Sequence, residues 1–335
     1  MSHQSSWAQE ATNRFFGGRK STSQIECDEI ARSISRASKV IPVDSPGSMS
    51  YTVVCNECPG LQQDLVVSFR EPAAILDEGT VKLAKEIHGD LVPLQTYHGN
   101  VNATDPSLSI YAMPYLRGSS YIEVSYCEVK LDHNEEAKQK LYVKHLARYF
   151  ARCWSNPQVV ANQTKSRHEK EIRTRLIRLA EELPSSVLPK SVLPRLTENI
   201  SSLFSQDYPQ VLTHGDLSVT NILVDENKFE ITGIVDWSSA KVMPFGMDLD
   251  VLFLSTGFMI LDGWHDYACK SLLQDTFWEE FWAASGIQGE EDRGRIQGLA
   301  EVASEISAIL RLTSWRNADG LPSEVCVKHL QAWFR

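Results

Sequence analysis

Apolar side chains in SQIECDEIARSISRAS, residues 23–38, recur at Ile25, Ile30, Ala31 and Ile34, close to the helical period, with Ser23 placed to cap the first turn. The period then falls to two. KVIPV and YTVVC are β-branched runs joined by DSPGSMS, a Pro-Gly-Ser turn, which predicts a hairpin. DLVVSFR predicts a third strand, with Leu65, Val67 and Phe69 on one face and Val66, Ser68 and Arg70 on the other. Residues 76–89 return to helical composition, and LSIYAMPYLRG at 108–118 reads as a strand running into a Pro/Gly-marked connection. Beyond residue 134 the pattern is mostly helical. NEEAKQKLYVKHLARYFARCWS turns Leu141, Val143, Leu146 and Phe150 inward, KSRHEKEIRTRLIRLAEELP predicts a long half-exposed helix, and two further helical tracts are expected over 247–284 and 291–316. The expected architecture is α+β: a small antiparallel-sheet lobe over residues 1–113, a connection over 114–118 and a large, mainly helical lobe over 119–335.

One stretch inside the helical part breaks that pattern and concentrates chemistry. In LTHGDLSVTNILVDENKFEITGIVDW, residues 212–237, strand-like Ile222–Val224 and Phe229–Val235 flank the polar turn DENK. A hairpin there brings Asn221 and Asp236 to the same end, with Asp216 on the loop that enters it. Two oxygen donors suited to a hard cation, with a further carboxylate beside them, are what phosphoryl transfer from a magnesium nucleotide requires.

Composition narrows the alternatives. The chain of 335 residues is 42% hydrophobic, enough for a large core, and its net charge of -10 argues against a sequence-independent grip on nucleic acid. The longest apolar stretch, VLFLSTGFMIL, is too short to span a bilayer, and the first twenty residues lack the apolar core of a signal peptide, so a soluble cytoplasmic protein is expected. Seven cysteines suit reduced thiols better than a disulfide framework. Cys55 and Cys58 have the spacing of half a zinc site with no second half following, and the alternative is a loop with two ordinary thiols. His265 and Cys269, four apart, are a pair that a helix would place on one face.

HGDLSVTN has the H-x-D-x-x-x-x-N spacing of the catalytic loop of protein-kinase-like enzymes, and Asp236 falls where those enzymes carry a metal-binding aspartate. With Gly215 after the histidine and Trp237 after the second aspartate, the chain resembles the aminoglycoside phosphotransferase and choline kinase branch, and is most similar to fungal proteins with an aminoglycoside phosphotransferase domain. The resemblance implies a bilobed protein-kinase-like fold and an ATP- and Mg²⁺-dependent enzyme that phosphorylates a hydroxyl of a small molecule. It places Ser48 in the nucleotide-positioning loop SPGSMSYTV, Arg70 as phosphate anchor, and Glu78 as the helix glutamate paired to that anchor. It makes IYAMPYLRG the interlobe hinge, Met113 guarding the pocket while the Pro114 carbonyl and Leu116 N–H meet adenine. Asp216 then accepts the substrate hydroxyl's hydrogen bond, Asn221 and Asp236 hold Mg²⁺, and His214 braces the loop. Asp248 would tie down that loop, and Asp250 would be solvated or a charge at a helix N-terminus.

The chain departs from the family pattern in three places. The anchor is Arg70 or, two residues earlier on the same face, Ser68, in place of lysine; Ser238 follows Trp237 where relatives often carry an acidic group; and the segment after the hinge is unlike that of drug-modifying members. Two other readings compete: a nucleotide-binding pseudokinase without turnover, and a protein kinase, for which the few residues between VDW and PFGMDL leave little room to dock a peptide. Trp264, His265, Asp266, Trp278, Glu279, Glu280 and Trp282 either wall a cleft for an amine-bearing alcohol or, in DTFWEEFW, form an amphipathic helix with its tryptophans inward.

Overall fold

The β-branched runs near the start of the chain form strands. In a computed structural model that describes residues 2–17, 22–44, 46–60, 63–101, 107–314 and 322–334, they build a five-stranded sheet of order β1-β2-β3-β5-β4. Its strands are β1 (Lys39–Pro42), β2 (Ser50–Asn56), β3 (Leu65–Arg70), β4 (Thr96–Asn100) and β5 (Ser109–Pro114), each antiparallel to its neighbours. Helices α1 (Ser2–Gly17), α2 (Gln24–Ser35) and α3 (Glu78–His88) accompany the sheet. The Ser23 hydroxyl caps α2 by accepting the Glu26 N–H at 3.2 Å. Cys27, Ala31 and Ser35 form the buried stripe of α2, so Ile25, 71% exposed, lies off the face assigned to it.

Val67 and Phe69 of β3 enter a core with Tyr51, Val53, Phe15 and Ile110. Each fully buried aliphatic or aromatic side chain of this kind contributes roughly 1.5–3 kcal/mol. The opposite face of β3 is closed as well, and there Ser68 and Arg70 are buried polar groups that need partners. Strand β4, TYHGN, has no apolar alternation and is legible only from its pairing with β5.

The chain divides into two units by its internal contacts: residues 1–118 with Thr232–Ser239, and Ser119–Ile231 with Ala240–Arg335. Residues 232–239, which a linear reading leaves in the helical lobe, therefore cluster with the sheet unit. The other unit opens with the short β6 (Ser119–Ser120) and α4 (Tyr121–Val124), followed by α5 (His133–Ser155), α6 (Asn162–Glu182) and α7 (Val192–Leu203). Strands β7 (Gln210–Thr213) and β8 (Ile222–Val224) come next, then β9 (Ile231–Ile234), which carries the chain back toward the sheet unit, and β10 (Lys241–Pro244). Then follow α8 (Asp250–Leu254), β11 (Gly257–Ile260), β12 (Gly263–Asp266), α9 (Lys270–Ser285), α10 (Glu290–Leu312) and α11 (Glu324–Trp333).

Helix α5 starts in a capping box, Asp132 accepting the Glu135 N–H and Glu135 accepting the Asp132 N–H, both at 2.8 Å. It packs along α9, where Trp154, Phe245 and Phe281 interlock with ring centroids 5.0 and 5.4 Å apart. Trp278 and Trp282 face inward, Glu279 is exposed, and Glu280 pairs with Arg148 at 2.6 Å. DTFWEEFW is thus an amphipathic helix, and Trp264, stacked on Phe253 at 4.7 Å, is core as well.

The helical tract expected over 247–284 is corrected: α8 ends after one turn and GFMILDGWHD folds back as the β11–β12 hairpin. Gly257 admits the close strand approach, since a Cβ there would sit 2.3 Å from the His265 carbonyl oxygen, and Gly263 turns the chain at φ 142°. His265 consequently lies on a strand and Cys269 caps α9, so they share no helix face. The last tract forms as α10, while residues 315 and 316 lie outside the described ones. Among the described residues no helix is long and apolar enough to cross a membrane.

Gly246 supplies a sharper case, with φ 94° and a would-be Cβ 2.6 Å from the Ala300 carbonyl oxygen. Gly246→Ala is expected to destabilise the protein by about 2–4 kcal/mol, left-handed strain adding to overlap with a helix backbone. Denaturant melts check this; a midpoint equal to that of the parent contradicts it.

Candidate active site

In the sheet unit, Arg70 is the last residue of β3 and only 6% exposed. Its guanidinium donates through Nε to Ser68 Oγ at 3.1 Å, and through Nη1 to the Ala74 carbonyl at 3.3 Å and to Asp236 Oδ1 at 2.7 Å. Ser68, with no exposed surface and a 2.9 Å hydrogen bond to Thr52 Oγ1, is a buried brace for the arginine. Asp236 holds a left-handed backbone, φ 64°, a conformation aspartate tolerates better than most residues but which still costs about 1–3 kcal/mol. Ser238 Oγ donates to the same Oδ1 at 2.9 Å. Trp237 beside it is buried, its Nε1 donating to the Ile234 carbonyl at 2.9 Å and its ring 5.8 Å from that of His88.

Arg70, Asp236, Trp237 and Met113 line one small cleft with Val81 and Gln95. Pro114 ends β5, and the next N–H, of Tyr115, is spent on the Asp64 carbonyl at 3.0 Å. Ser48 sits in an exposed turn before β2 and is not among the cleft-lining residues; Ser45 of the same loop lies outside the described residues.

Glu78 requires a correction. It is the first residue of α3, its side chain 76% exposed and paired to Lys82 one turn on at 2.6 Å, and it is not the partner of Arg70. The inward face of α3 carries Val81, Ala84, Ile87 and His88, and its other glutamate, Glu86, is exposed. Helix phase is the reason: a residue in the first turn, ahead of the buried stripe, points to water.

In the helical unit the loop 214–221 leaves β7 and enters β8. His214 is fully buried and its Nδ1 accepts the Asp216 N–H at 3.3 Å, which is the bracing role. Gly215 takes φ 79°, and Leu217 anchors the loop in the core while Asp216 stays exposed. Asn221 Nδ2 donates to the Asp216 carbonyl at 2.9 Å and lies 3.5 Å from its Oδ2. Because a carbonyl only accepts, this bond orients the amide and directs Asn221 Oδ1 away from it. The DENK turn closes through Asp225 N–H to Glu230 O at 2.9 Å and Phe229 N–H to Asp225 O at 2.7 Å, with Phe229 left-handed at φ 63°.

Asp248 accepts the His214 N–H at 2.6 Å and the Gly215 N–H at 3.0 Å, so it ties the loop down. Burial pushes its carboxyl up to about 7, the His214 N–H opposing, the nearby Asp250 adding to the rise, and the Gly215 N–H and Arg311 opposing it. Asp250 is the first residue of α8, the second of its two expected placements, and not the solvated carboxylate of the first: it is only 2% exposed and ion-paired with Arg311. Nothing in sequence singled out Arg311, an ordinary arginine on α10 that lies 61 residues from its partner.

Two opposite pH trends follow from Asp248. The fold favours its protonated form, so stability is expected to fall as pH rises from about 4 to about 7. The two N–H donors are held best by the ionised form, so turnover is expected to be lost as pH falls through about 7. Melting temperature and rate against pH check both; two flat profiles over that window refute the assignment.

Several solved phosphotransferase structures share this architecture. A mutant of aminoglycoside 2'-phosphotransferase-IIIa in its GDP complex superposes with a TM-score of 0.58 at 17% identity, over 92% of this chain and 97% of that one. A putative aminoglycoside phosphotransferase of Ralstonia eutropha JMP134 gives 0.57 at 14% identity, over 90% and 93%. A thermostable mutant of APH(4)-Ia, in ternary complex with ADP and hygromycin B, gives 0.53 at 12% identity, over 91% and 96%. At such identities the likeness establishes the protein-kinase-like fold. No curated protein matches the sequence. The pattern of the phosphotransferase enzyme family (APH) matches residues 61–299, a span that includes the loop braced by His214 and the Asp236 turn, and the chain belongs to that family.

Proposed function

We propose that the protein transfers the terminal phosphoryl group of ATP, with Mg²⁺, to a hydroxyl of a small molecule. The observation that carries this reading is the Asp216 loop: its anchors His214, Leu217 and Asp248 are buried while Asp216 itself is exposed, as a group that must meet an acceptor requires. Asp216 accepts the hydrogen bond of the acceptor hydroxyl and orients its oxygen, taking the proton late. Arg70 neutralises phosphate charge, and its fork of donors suits that task. The Pro114 carbonyl and Leu116 N–H position the base, with Met113 beside it.

Asn221 Oδ1 and the Asp236 carboxylate would hold Mg²⁺. Their oxygen-only donor set fits a hard cation that keeps few protein ligands, and Asp236 retains 34% side-chain exposure. The ion, when bound, would offset charge on the transferred group. Trp278 and Trp282 of α9 are committed to packing and Glu280 to Arg148, so these three supply no argument for a cationic acceptor.

ADP release measured against a broad panel of alcohols, with ATP and GTP as donors, tests the proposal. Mg²⁺-dependent turnover that disappears in Asp236→Ala is expected. Thermal stabilisation by MgATP with no nucleotide consumed across the panel would overturn it in favour of a nucleotide-binding pseudokinase.

A further inference from the structure

Arg70 takes as its counter-ion the carboxylate that the proposed function assigns to the metal. It pairs with Asp236 at 2.7 Å, and α3 offers no inward carboxylate to compete. Ser238 Oγ, at 2.9 Å, is a second donor on the same Oδ1, in a position where an acidic side chain would repel Asp236. A cation is thus held against the proposed metal ligand by a strand residue only 7% exposed in its side chain, which restricts its movement.

We infer that Arg70 and Ser238 form a two-donor cap on Asp236, and that this cap makes divalent-ion and nucleotide binding mutually dependent; the inference rests on the metal role proposed for Asp236. An ion alone must strip Oδ1 from both donors and leave a nearly buried guanidinium without its counter-charge, which is costly. A phosphate alone approaches an arginine whose charge is already balanced. When both arrive, Asp236 exchanges Arg70 for the ion and Arg70 exchanges Asp236 for phosphate, so no buried charge is left unpaired. The coupling is reciprocal by linkage. It disfavours occupation by a free divalent ion without requiring any conformational change of the lobe.

The test uses Mn²⁺ as probe, with bound ion measured by electron paramagnetic resonance on the full chain, without and with ADP. Arg70→Met is expected to bind Mn²⁺ alone about tenfold tighter than the parent and to lose most of its ADP affinity. Ser238→Ala removes no charge, so a gain of about two- to fivefold in Mn²⁺ affinity there reports the loss of a donor and not a change in net charge. Glu78→Gln is expected to change neither value. Parent-like Mn²⁺ affinity in both Arg70→Met and Ser238→Ala, or an equal gain in Glu78→Gln, overturns the cap. Should Arg70→Met fail to fold, Ser238→Ala decides alone. If the parent chain retains no Mn²⁺ with ADP, the phosphotransferase reading fails instead, which separates the two ideas.

Discussion

Replacing Asp216 by Asn is expected to slow phosphoryl transfer by about 10²–10⁴-fold while nucleotide affinity stays within about twofold. The substitution is nearly isosteric, and the bonds that shape the loop are made by the Asp216 backbone: its N–H to His214 Nδ1 and its carbonyl from Asn221 Nδ2. Those bonds survive, so the loop keeps its form and the protein its stability. What is lost, in the proposed mechanism, is an anionic acceptor for the hydroxyl proton. The rate therefore falls without a matching loss of ADP binding. Single-turnover measurements with MgATP and the acceptor found by screening check this, alongside a thermal melt. A rate within tenfold of the parent removes Asp216 from the chemistry; an equal loss of rate and affinity would make its role one of binding.

The largest effect on stability is expected from Arg311→Met, about 3–5 kcal/mol, because it leaves a buried carboxylate without its cation. Asp250 is 2% exposed, and burial already raises its carboxyl above the usual range, with Arg311 the main opposing influence. Arg311 is also held in its charged form by Asp250 and, to a lesser degree, by Asp216 and Asp248, against the burial that would lower it. Its loss is felt by the turn that carries Asp248, and through it by the catalytic loop. Asp250→Asn combined with Arg311→Met is expected to recover much of the loss, since no unpaired charge then remains. Denaturant midpoints of the two single variants and the double variant check the cycle. A cost below about 1 kcal/mol for Arg311→Met would mean that water reaches Asp250 and the pair is not a buried one.

Local pattern carried much of this molecule. The β-branched run YTVVC predicted β2 and the period of two across DLVVSFR predicted β3, the Ser23 position predicted the α2 cap, and the spacing of His214, Asp216, Asn221 and Asp236 pointed to the family. These features depend on neighbours a few residues away, where backbone geometry relates position to direction. The hairpin at 257–266 was missed because its apolar run fits a buried helix equally well, and only the approach of Gly257 to His265 distinguishes the two.

The partners of the charged residues were decided by tertiary structure. Arg70 and Asp236 are 166 residues apart, and nothing in the periodicity around either one says that they meet. Glu78 sits on the expected helix yet one phase away from its buried stripe, and Asp250 is masked from solvent by an arginine on a distant helix. An ion pair inside a protein forms wherever packing leaves two desolvated charges within reach, and that is a property of the assembled core. Sequence alone was therefore sufficient for β2 and β3, for the spacing of the 214–236 residues and for the family, while β4, the β11–β12 hairpin and the counter-ions of Arg70 and Asp250 emerged only once the chain had folded around them.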